Sequence, residues 1–419
     1  NYPIPAYLIA VAVTNYEIYS HEVSNNGNPF EIVNYVYPED FSTAQEQTLV
    51  TVDIMDFFAE KFEEYPFSNE KYGHAQFGWG GGMEHTTVSF MGNFSRGLIA
   101  HELAHQWFGN KITCGSWQDI WLNEGFATYL SGLVIEHLDG ESSFKSWKQQ
   151  KVNSITSQTY GSVYVPAEDT LTVNRVFSGR LSYNKGSMVL HMLRQKIGED
   201  LFYESLQNYL SNPEFSYGYA KSNDFISSVE QTTQMELSEF FDDWLFNEGY
   251  PSYIAEWGQP SSELQIILNQ ESSHESVDFF EGLITIRVFG DSGEELDLTL
   301  DHNYNNQIFI YELDFNVSSI EVNPEFDVIS KNNQVLLSSQ VPEINDKLVI
   351  YPNPTHSNIE IKKPYFLEIN NIELYNINGQ LISTYAYSKN LELGTLNQGQ
   401  YFLKFDSESG NIYKSLIVR

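Results

Sequence analysis

Two histidines one helical turn apart dominate residues 101–105, which read H-E-L-A-H. A helix has about 3.6 residues per turn, so His101 and His105 project from one face. Imidazoles at this spacing can hold one zinc ion, and Glu102 between them can reach a water molecule at the metal. Glu124, in a second helix-like segment, can supply a third protein ligand. The pattern predicts one open, catalytic zinc site (Zn2+) per chain.

A helix with two exposed histidines is the structural alternative to this metal site. Apolar residues flank the pattern at positions 97–100 and 107–109, however, and favour a buried helix. Around Glu124, the side chains of Phe126, Tyr129 and Leu130 also recur at helical spacing. A buried cluster of imidazoles and carboxylates is costly unless it is paired or metal-bound, so the flanks favour zinc.

The order of three motifs resembles the gluzincin zinc aminopeptidases, the family of aminopeptidase N and leukotriene hydrolase. H-E-x-x-H is followed by N-E-G-F-A, with Glu124 nineteen positions after His105. G-G-M-E-H at residues 81–85 is similar to the family's G-x-M-E-N exopeptidase motif. Y-N-K-G at residues 183–186 is similar to its Y-x-K-G segment. The resemblance covers roughly residues 1–255.

This resemblance implies a role for each matching residue. Glu102 is the expected general base, and Tyr183 is expected to donate its hydroxyl to the developing oxyanion. Glu84 is expected to pair with the cationic amino terminus of a peptide. Gly81 and Gly82 would let the substrate backbone approach closely. The alternatives are a packed tyrosine, a solvated glutamate and a plain surface turn.

Three other residues stay open at this level. His85 stands where the family motif has asparagine, which leaves the substrate preference open. Asp119 could orient a ligand histidine or lie at a helix start on the helix dipole. Cys114 is the single cysteine, so an intrachain disulfide is excluded, and a small buried hydrophobe is the favoured interpretation.

Charge and hydropathy exclude two classes of partner. The chain has 22 basic and 56 acidic residues and a formal net charge of −34. Such a chain is unsuited to nucleic acid or to anionic membrane surfaces, which demand a basic face. A solvated, soluble surface is the simplest interpretation. Since no run of 18 apolar residues occurs, we expect no integral membrane segment.

Periodicity predicts an α+β multidomain fold. The apolar run at residues 5–13 reads as a strand and resembles the end of the family's N-terminal β domain, so we expect a fragment or a trimmed product. Helical spacing begins after Ser42, and alternation with period two begins at residue 252. Taken with the resemblance, these periods imply four units: a remnant of the N-terminal β domain (1–38), a thermolysin-like, mainly helical catalytic domain (39–255), a β-sandwich (256–338) and a second β-sandwich (339–419).

The last of these units resembles the C-terminal sorting domain of type IX secretion cargo. Its opening Y-P-N-P at residues 351–354, its Asn378-Gly379 turn and its basic terminus carry the resemblance. The alternative is a further β-sandwich without a sorting role. Sorting implies export across a Gram-negative outer membrane, to the medium or the cell surface, with the type IX secretion machinery as partner.

These motifs together predict a secreted zinc aminopeptidase that acts on peptides with a free N-terminus. A thermolysin-like zinc endopeptidase is the first alternative, and Glu84 argues against it. The second is a catalytically silent surface-binding module, against which the retained Glu102 and all three ligands argue.

Overall fold

A mixed five-stranded sheet forms the first part of the chain in the computed structural model, which describes residues 3–25, 28–338, 348–363, 367–407 and 410–419. The strands lie in the order β1-β2-β3-β5-β4. Their bounds are Glu17–Val23 (β1), Phe30–Val36 (β2), Tyr72–Gln76 (β3), Gly82–Met83 (β4) and Ser89–Met91 (β5). The sheet continues across the predicted boundary at residue 38, because β2 pairs with β3 in parallel. Strand β4 pairs only with β5 and lies at the sheet edge.

The strand predicted at residues 5–13 is wrong. Ala6–Leu8 form a single 3-10 turn, and residues 9–15 pair with no strand in the described chain. The side chains of Val11 and Val13 are exposed, whereas Leu8 is buried. An apolar run alone predicts a strand, but a strand also needs a partner for its backbone donors and acceptors.

Helices build the middle of the chain. The pattern predicted after Ser42 is confirmed as two helices that meet at Leu49, and Ile54 and Phe58 face the core from the second. The α-helices are Phe41–Thr48 (α1), Val50–Lys61 (α2), Arg96–Ala104 (α3), Trp121–Asp139 (α4), Glu141–Ile155 (α5), Val173–Val176 (α6), Gly186–Ile197 (α7), Glu199–Ser211 (α8), Ser222–Thr233 (α9) and Ser238–Phe241 (α10). A short parallel pair, Ile112–Cys114 (β6) and Gly218–Ala220 (β7), lies among them.

Two glycines let the helices of the second and third motifs approach each other. A Cβ atom on Gly125 in α4 would lie 3.2 Å from Cα of Gly186, the first residue of α7. A Cβ atom on Gly186 would lie equally close to Cα of Gly125. The helices therefore touch backbone to backbone, which only residues without a side chain permit. This contact brings the segment before α7, with Tyr183, close to Glu124.

Strands replace helices after Phe246. The strands are Pro251–Gly258 (β8), Glu263–Ser272 (β9), Gly282–Gly290 (β10), Glu295–His302 (β11), Gln307–Glu312 (β12), Val317–Val322 (β13) and Gln334–Leu337 (β14). They form two sheets, β12-β9-β8-β14 and β11-β10-β13. The strands predicted at 264–268, 282–288 and 307–311 are confirmed within β9, β10 and β12. Asp327 follows β13 and pairs with Lys148 of α5, which ties this region to the helices.

The last strands enclose a core of their own. They are Val349–Tyr351 (β15), Asn358–Lys362 (β16), Ile369–Asn376 (β17), Leu381–Ala386 (β18), Asn390–Glu392 (β19), Gly399–Ser407 (β20) and Gly410–Val418 (β21). Two sheets, β15-β16-β19 and β18-β17-β20-β21, bury Ile372, Leu403 and Leu416. The predicted turn at Asn378-Gly379 is confirmed, and Gly379 has a φ of 76°. The predicted start of this unit, at residue 339, lies in segment 339–347, outside the described residues.

No helix in the described ranges has the length and apolar character needed to cross a bilayer.

Replacement of Gly125 by valine tests the contact between α4 and α7. We expect Gly125→Val to lower the free energy of unfolding by about 1–3 kcal/mol, because the added side chain must displace the backbone at Gly186. The matched control is Gly97→Val in α3, where an added Cβ meets nothing within 4 Å. Urea unfolding followed by circular dichroism measures both. Equal stability of the two variants would contradict the proposed contact.

Candidate functional site

Three predicted ligand atoms converge at the end of α3. His101 lies in the last turn of the helix, and His105 follows as its C-cap residue with helical φ and ψ angles. Their Nε2 atoms are 3.2 Å apart. Glu124, in the first turn of α4, places Oε2 3.3 Å from Nε2 of His101 and 3.4 Å from Nε2 of His105. The structure thus brings together the triad predicted from the sequence spacing.

These separations fit a single small cation. Zinc bonds to nitrogen are about 2.0–2.1 Å long, so two ligands of a tetrahedral zinc lie about 3.3–3.4 Å apart. The three observed edges, 3.2, 3.3 and 3.4 Å, are close to this length. Nδ1 of His105 lies 3.1 Å from the Phe108 carbonyl oxygen. If Nδ1–H donates a hydrogen bond to that carbonyl, Nε2 carries no proton and is free to bind a metal. The donor set is therefore suited to zinc.

Glu102 faces the same cleft as the triad but is not one of the three ligand residues. Its side chain is buried, and its Oε2 atom has no hydrogen-bond partner among the described residues. It lies within 4.8 Å of ligand atoms of His105 and Glu84. A buried carboxylate oxygen without a partner is costly, which indicates that a substrate or a water molecule supplies its hydrogen bond. The carboxylate packs against Gly82 of β4, whose missing side chain provides the space.

Glu84 comes immediately after the edge strand β4. Its backbone carbonyl accepts a hydrogen bond of 2.7 Å from Asn110 Nδ2, which fixes the chain at this point. The side chain is buried and lines the cleft. Gly81 has a φ of 82°, a left-handed conformation that favours glycine and turns the chain into the strand.

Tyr183 reaches the cleft from a π-helical segment, Gly179–Lys185. Its ring stacks on the His101 ring, with centroids 5.9 Å apart and planes inclined by 8°. Burial, followed by the nearby carboxylate of Glu124, raises the pKa of the phenol, so it is a proton donor at neutral pH. π-helical turns are rare and often occur at functional sites. The segment is continuous with α7, and its last residue, Lys185, is buried.

The charges of the cleft are strongly coupled. Burial raises the pKa of Glu102 well above its usual range. Burial would also raise the pKa of Glu124, but His105 and His101 hold it well below its usual range. For His105, burial is outweighed by Glu84 and Glu124, which raise the pKa to about 10. This negative environment favours a bound cation, which can replace the proton that His105 holds beside Glu84 and Glu124.

Tyr7 is a site residue that the sequence did not indicate. It lies on the 3-10 turn that replaces the predicted N-terminal strand, and it lines the cleft. Its hydroxyl accepts a hydrogen bond of 3.3 Å from Asn123 Nδ2, while Asn123 Oδ1 accepts one from the Cys114 backbone N–H. Burial and the carboxylate of Glu84 raise the pKa of Tyr7. No spacing pattern connects position 7 to the motifs, the first of which begins at Gly81.

Asp119, His85 and Cys114 lie outside the cleft lining. Asp119 accepts hydrogen bonds from Ser222 N and Oγ, at 2.8 and 2.7 Å, and so anchors α9 rather than a ligand histidine. The His85 ring packs edge-on against Phe90 at 4.7 Å. Burial lowers the pKa of His85, opposed by a hydrogen bond with the Leu8 backbone. The residue that departs from the family motif therefore contacts the N-terminal segment.

The cleft that these residues form has a volume of about 200 Å³. It contains every predicted site residue except Gly81. Its lining in the described chain is Tyr7, Gly82, Met83, Glu84, His101, Glu102, His105, Trp117, Ile120, Asn123, Glu124, Phe177 and Tyr183.

Known protein families match two parts of the chain. Residues 84–244 match the model described as the peptidase family M1 domain. Residues 349–419 match the model described as the secretion system C-terminal sorting domain. The first match covers His101, His105, Glu124 and Tyr183, and the second covers strands β15 to β21.

Similar proteins are aminopeptidases. Glutamyl aminopeptidase of Sus scrofa is 30% identical over 298 residues, which cover 65% of this chain and 30% of the relative. The Homo sapiens protein of the same name is 32% identical over 274 residues, covering 59% and 28%. The chain thus spans less than a third of the length of these relatives.

A solved structure resembles the chain over most of its length. It is Legionella pneumophila aminopeptidase A in complex with aspartic acid, with a TM-score of 0.63 and 16% identity. The likeness covers 82% of this chain and 40% of that protein. The fold is therefore that of an aminopeptidase, with a helical catalytic region and a β-rich C-terminal region.

Replacement of Gly82 by alanine tests how Glu102 is placed. A Cβ atom at Gly82 would lie 2.6 Å from Cδ of Glu102, so we expect Gly82→Ala to displace the carboxylate while the fold stays intact. A crystal structure shows the displacement, and thermal unfolding reports the fold. The matched control is Gly80→Ala, where an added Cβ meets nothing within 4 Å. An unmoved Glu102 in the Gly82→Ala variant would contradict this prediction.

Proposed function

Since residues 84–244 are a peptidase family M1 domain and residues 349–419 a secretion sorting domain, we propose that the chain is part of an exported zinc aminopeptidase. The observation that supports this most strongly is the triangle of ligand atoms from His101, His105 and Glu124, with edges of 3.2–3.4 Å. Glu102 and Glu84 lie in the same cleft, so the groups for binding and hydrolysis of a peptide adjoin one another.

His101, His105 and Glu124 would hold the zinc ion through Nε2, Nε2 and a carboxylate oxygen. When bound in such a site, zinc polarises a carbonyl group and makes a water molecule more acidic. Three protein ligands leave a fourth position open, which is the feature of a catalytic rather than a structural zinc site. The hydrogen bond from His105 to the Phe108 carbonyl would keep the ring oriented for this role.

Glu102 and Tyr183 would carry the proton and the developing charge. Glu102, next to the triad yet outside it, takes a proton from the attacking water and passes it to the leaving amine. Tyr183, stacked on His101, donates its hydroxyl to the oxyanion that forms from the scissile carbonyl. A single donor aimed at such charge stabilises the transition state by roughly 3 kcal/mol.

Glu84 would select the free amino terminus of the substrate. Its buried carboxylate pairs with an ammonium group, and a charge-assisted pair of this kind is strongest where water is excluded. Strand β4 has an unpaired edge in the described sheet, so a substrate backbone can add to it beside Gly81 and Gly82. A fixed binding point for the ammonium group makes such an enzyme an exopeptidase.

The architecture that we propose keeps the sequence-based division of the chain. Packing of α3 against α4 supports a thermolysin-like catalytic domain over residues 39–255. Residues 256–338 and 339–419 would be β-sandwiches. The one change concerns residues 1–38, whose strands β1 and β2 share a sheet with β3 and so belong with the catalytic region. The sorting domain supports export by the type IX machinery to the medium or cell surface.

Acidic amino-terminal residues are one candidate substrate class, since the relatives are named glutamyl aminopeptidases. A thermolysin-like endopeptidase and a silent surface-binding module are the competing functions. Cleavage of peptides with a blocked amino terminus would favour the endopeptidase. Zinc binding without hydrolysis of any aminoacyl substrate would favour the silent module.

Aminoacyl-coumarin amides with free and acetylated amino termini test the proposal. We expect hydrolysis of the free amides alone, its loss with a chelator and its recovery with zinc. Glu84→Gln should lower kcat/KM about 10- to 100-fold, because it removes a hydrogen-bonded charge that faces the ammonium group.

Glu31→Gln, at an exposed position of β2, is the matched control and should leave kcat/KM unchanged. Equal hydrolysis of acetylated and free substrates would exclude the aminopeptidase assignment. Activity that survives complete removal of metal would exclude zinc.

A further inference from the structure

Two exposed aromatic rings form one wall of the cleft. Trp117 begins the 3-10 turn before α4, and Phe177 follows α6, sixty residues later. Their ring centroids are 5.8 Å apart and the planes are inclined by 65°, an edge-on contact. The two residues are 44% and 42% exposed, although each belongs to a type that favours burial.

The wall continues inward through apolar side chains. Ile120 is buried at the start of α4, and Met83 lies on β4 directly before Glu84. Both line the cleft together with Trp117 and Phe177. A peptide whose amino group pairs with Glu84 would present its first side chain to the surfaces next to Met83. Burial of an apolar substrate side chain against an apolar surface beside that point is favourable.

The charges of the cleft oppose an acidic side chain. Glu84, Glu102 and Glu124 all face into it, and its lining in the described part of the chain includes no lysine or arginine. A substrate carboxylate would therefore be desolvated without a cationic partner from the lining. A side-chain cation would find these three carboxylates already engaged, by the substrate amine, the proton transfer and the metal.

We propose that the cleft selects peptides whose amino-terminal residue is uncharged and apolar, with Trp117 and Phe177 as the specificity-determining wall. This inference rests on the proposed aminopeptidase function and names its substrate class. It separates this chain from enzymes that prefer acidic residues, because such a preference needs a cation that the lining does not provide.

An assay of the zinc-loaded full chain with the coumarin amides of Leu, Phe, Glu and Arg tests this substrate class. We expect kcat/KM for the Leu and Phe substrates to exceed that for Glu and Arg by at least about tenfold. A chain that cleaves Glu or Arg fastest would overturn the inference and leave the aminopeptidase function intact. A chain that cleaves none of the four would overturn the aminopeptidase function and this inference with it.

Variants of the wall test the two residues directly. Trp117→Ala and Phe177→Ala should each lower kcat/KM for the Phe substrate about tenfold relative to an Ala substrate, since only the larger side chain reaches the wall. Phe177→Arg should raise the ratio of Glu to Leu hydrolysis. Zinc content and melting temperature verify that each variant is folded.

Tyr413→Ala in β21 is the control, an aromatic residue 56% exposed in the sorting domain, and should leave these ratios unchanged. Peptides that vary only in the second residue show whether the wall contacts the first or the second side chain of the substrate. If the wall variants alter discrimination at the second residue alone, or alter no ratio, the assignment of Trp117 and Phe177 is wrong.

Discussion

Buried negative charge in a single cleft is the constraint on which the site depends. Glu84, Glu102 and Glu124 are buried side by side, and the cleft contains no lysine or arginine among the described residues. Carboxylates taken out of water cost several kcal/mol each unless cations offset them. The imidazoles of His101 and His105 offset only part of this charge. Under the proposed function, a divalent cation and a substrate ammonium group would complete the balance.

The elements around the cleft differ in how they hold these groups. The triad depends on two helix ends, the last turn of α3 and the first turn of α4. Tyr183 depends on a π-helical turn, and the contact between Gly125 and Gly186 sets its distance from Glu124. Glu84 depends on a sheet edge, which leaves backbone donors and acceptors for a bound peptide. Under the proposed function, helices would hold the metal ligands, whereas the edge strand would receive the substrate.

Glu124, nineteen positions after His105, was assigned from the order of the motifs, whereas helical periodicity alone predicts that His101 and His105 share one face. The strands of the C-terminal region were predictable for the same reason, from period-two alternation. Tyr7 was not, because its apolar neighbours predict a strand and its partner Asn123 is distant in the chain. Likewise the pairing of Trp117 with Phe177 arises from tertiary packing. Nor does the pattern of Y-N-K-G distinguish a π-helical turn from an α-helical one.

X-ray diffraction from zinc-loaded crystals, recorded on both sides of the zinc absorption edge, shows whether the triad binds zinc. We expect one anomalous peak in the cleft, about 2.0–2.2 Å from Nε2 of His101, Nε2 of His105 and a carboxylate oxygen of Glu124. A peak elsewhere, or a Glu124 side chain turned away from both imidazoles in the presence of zinc, would contradict it.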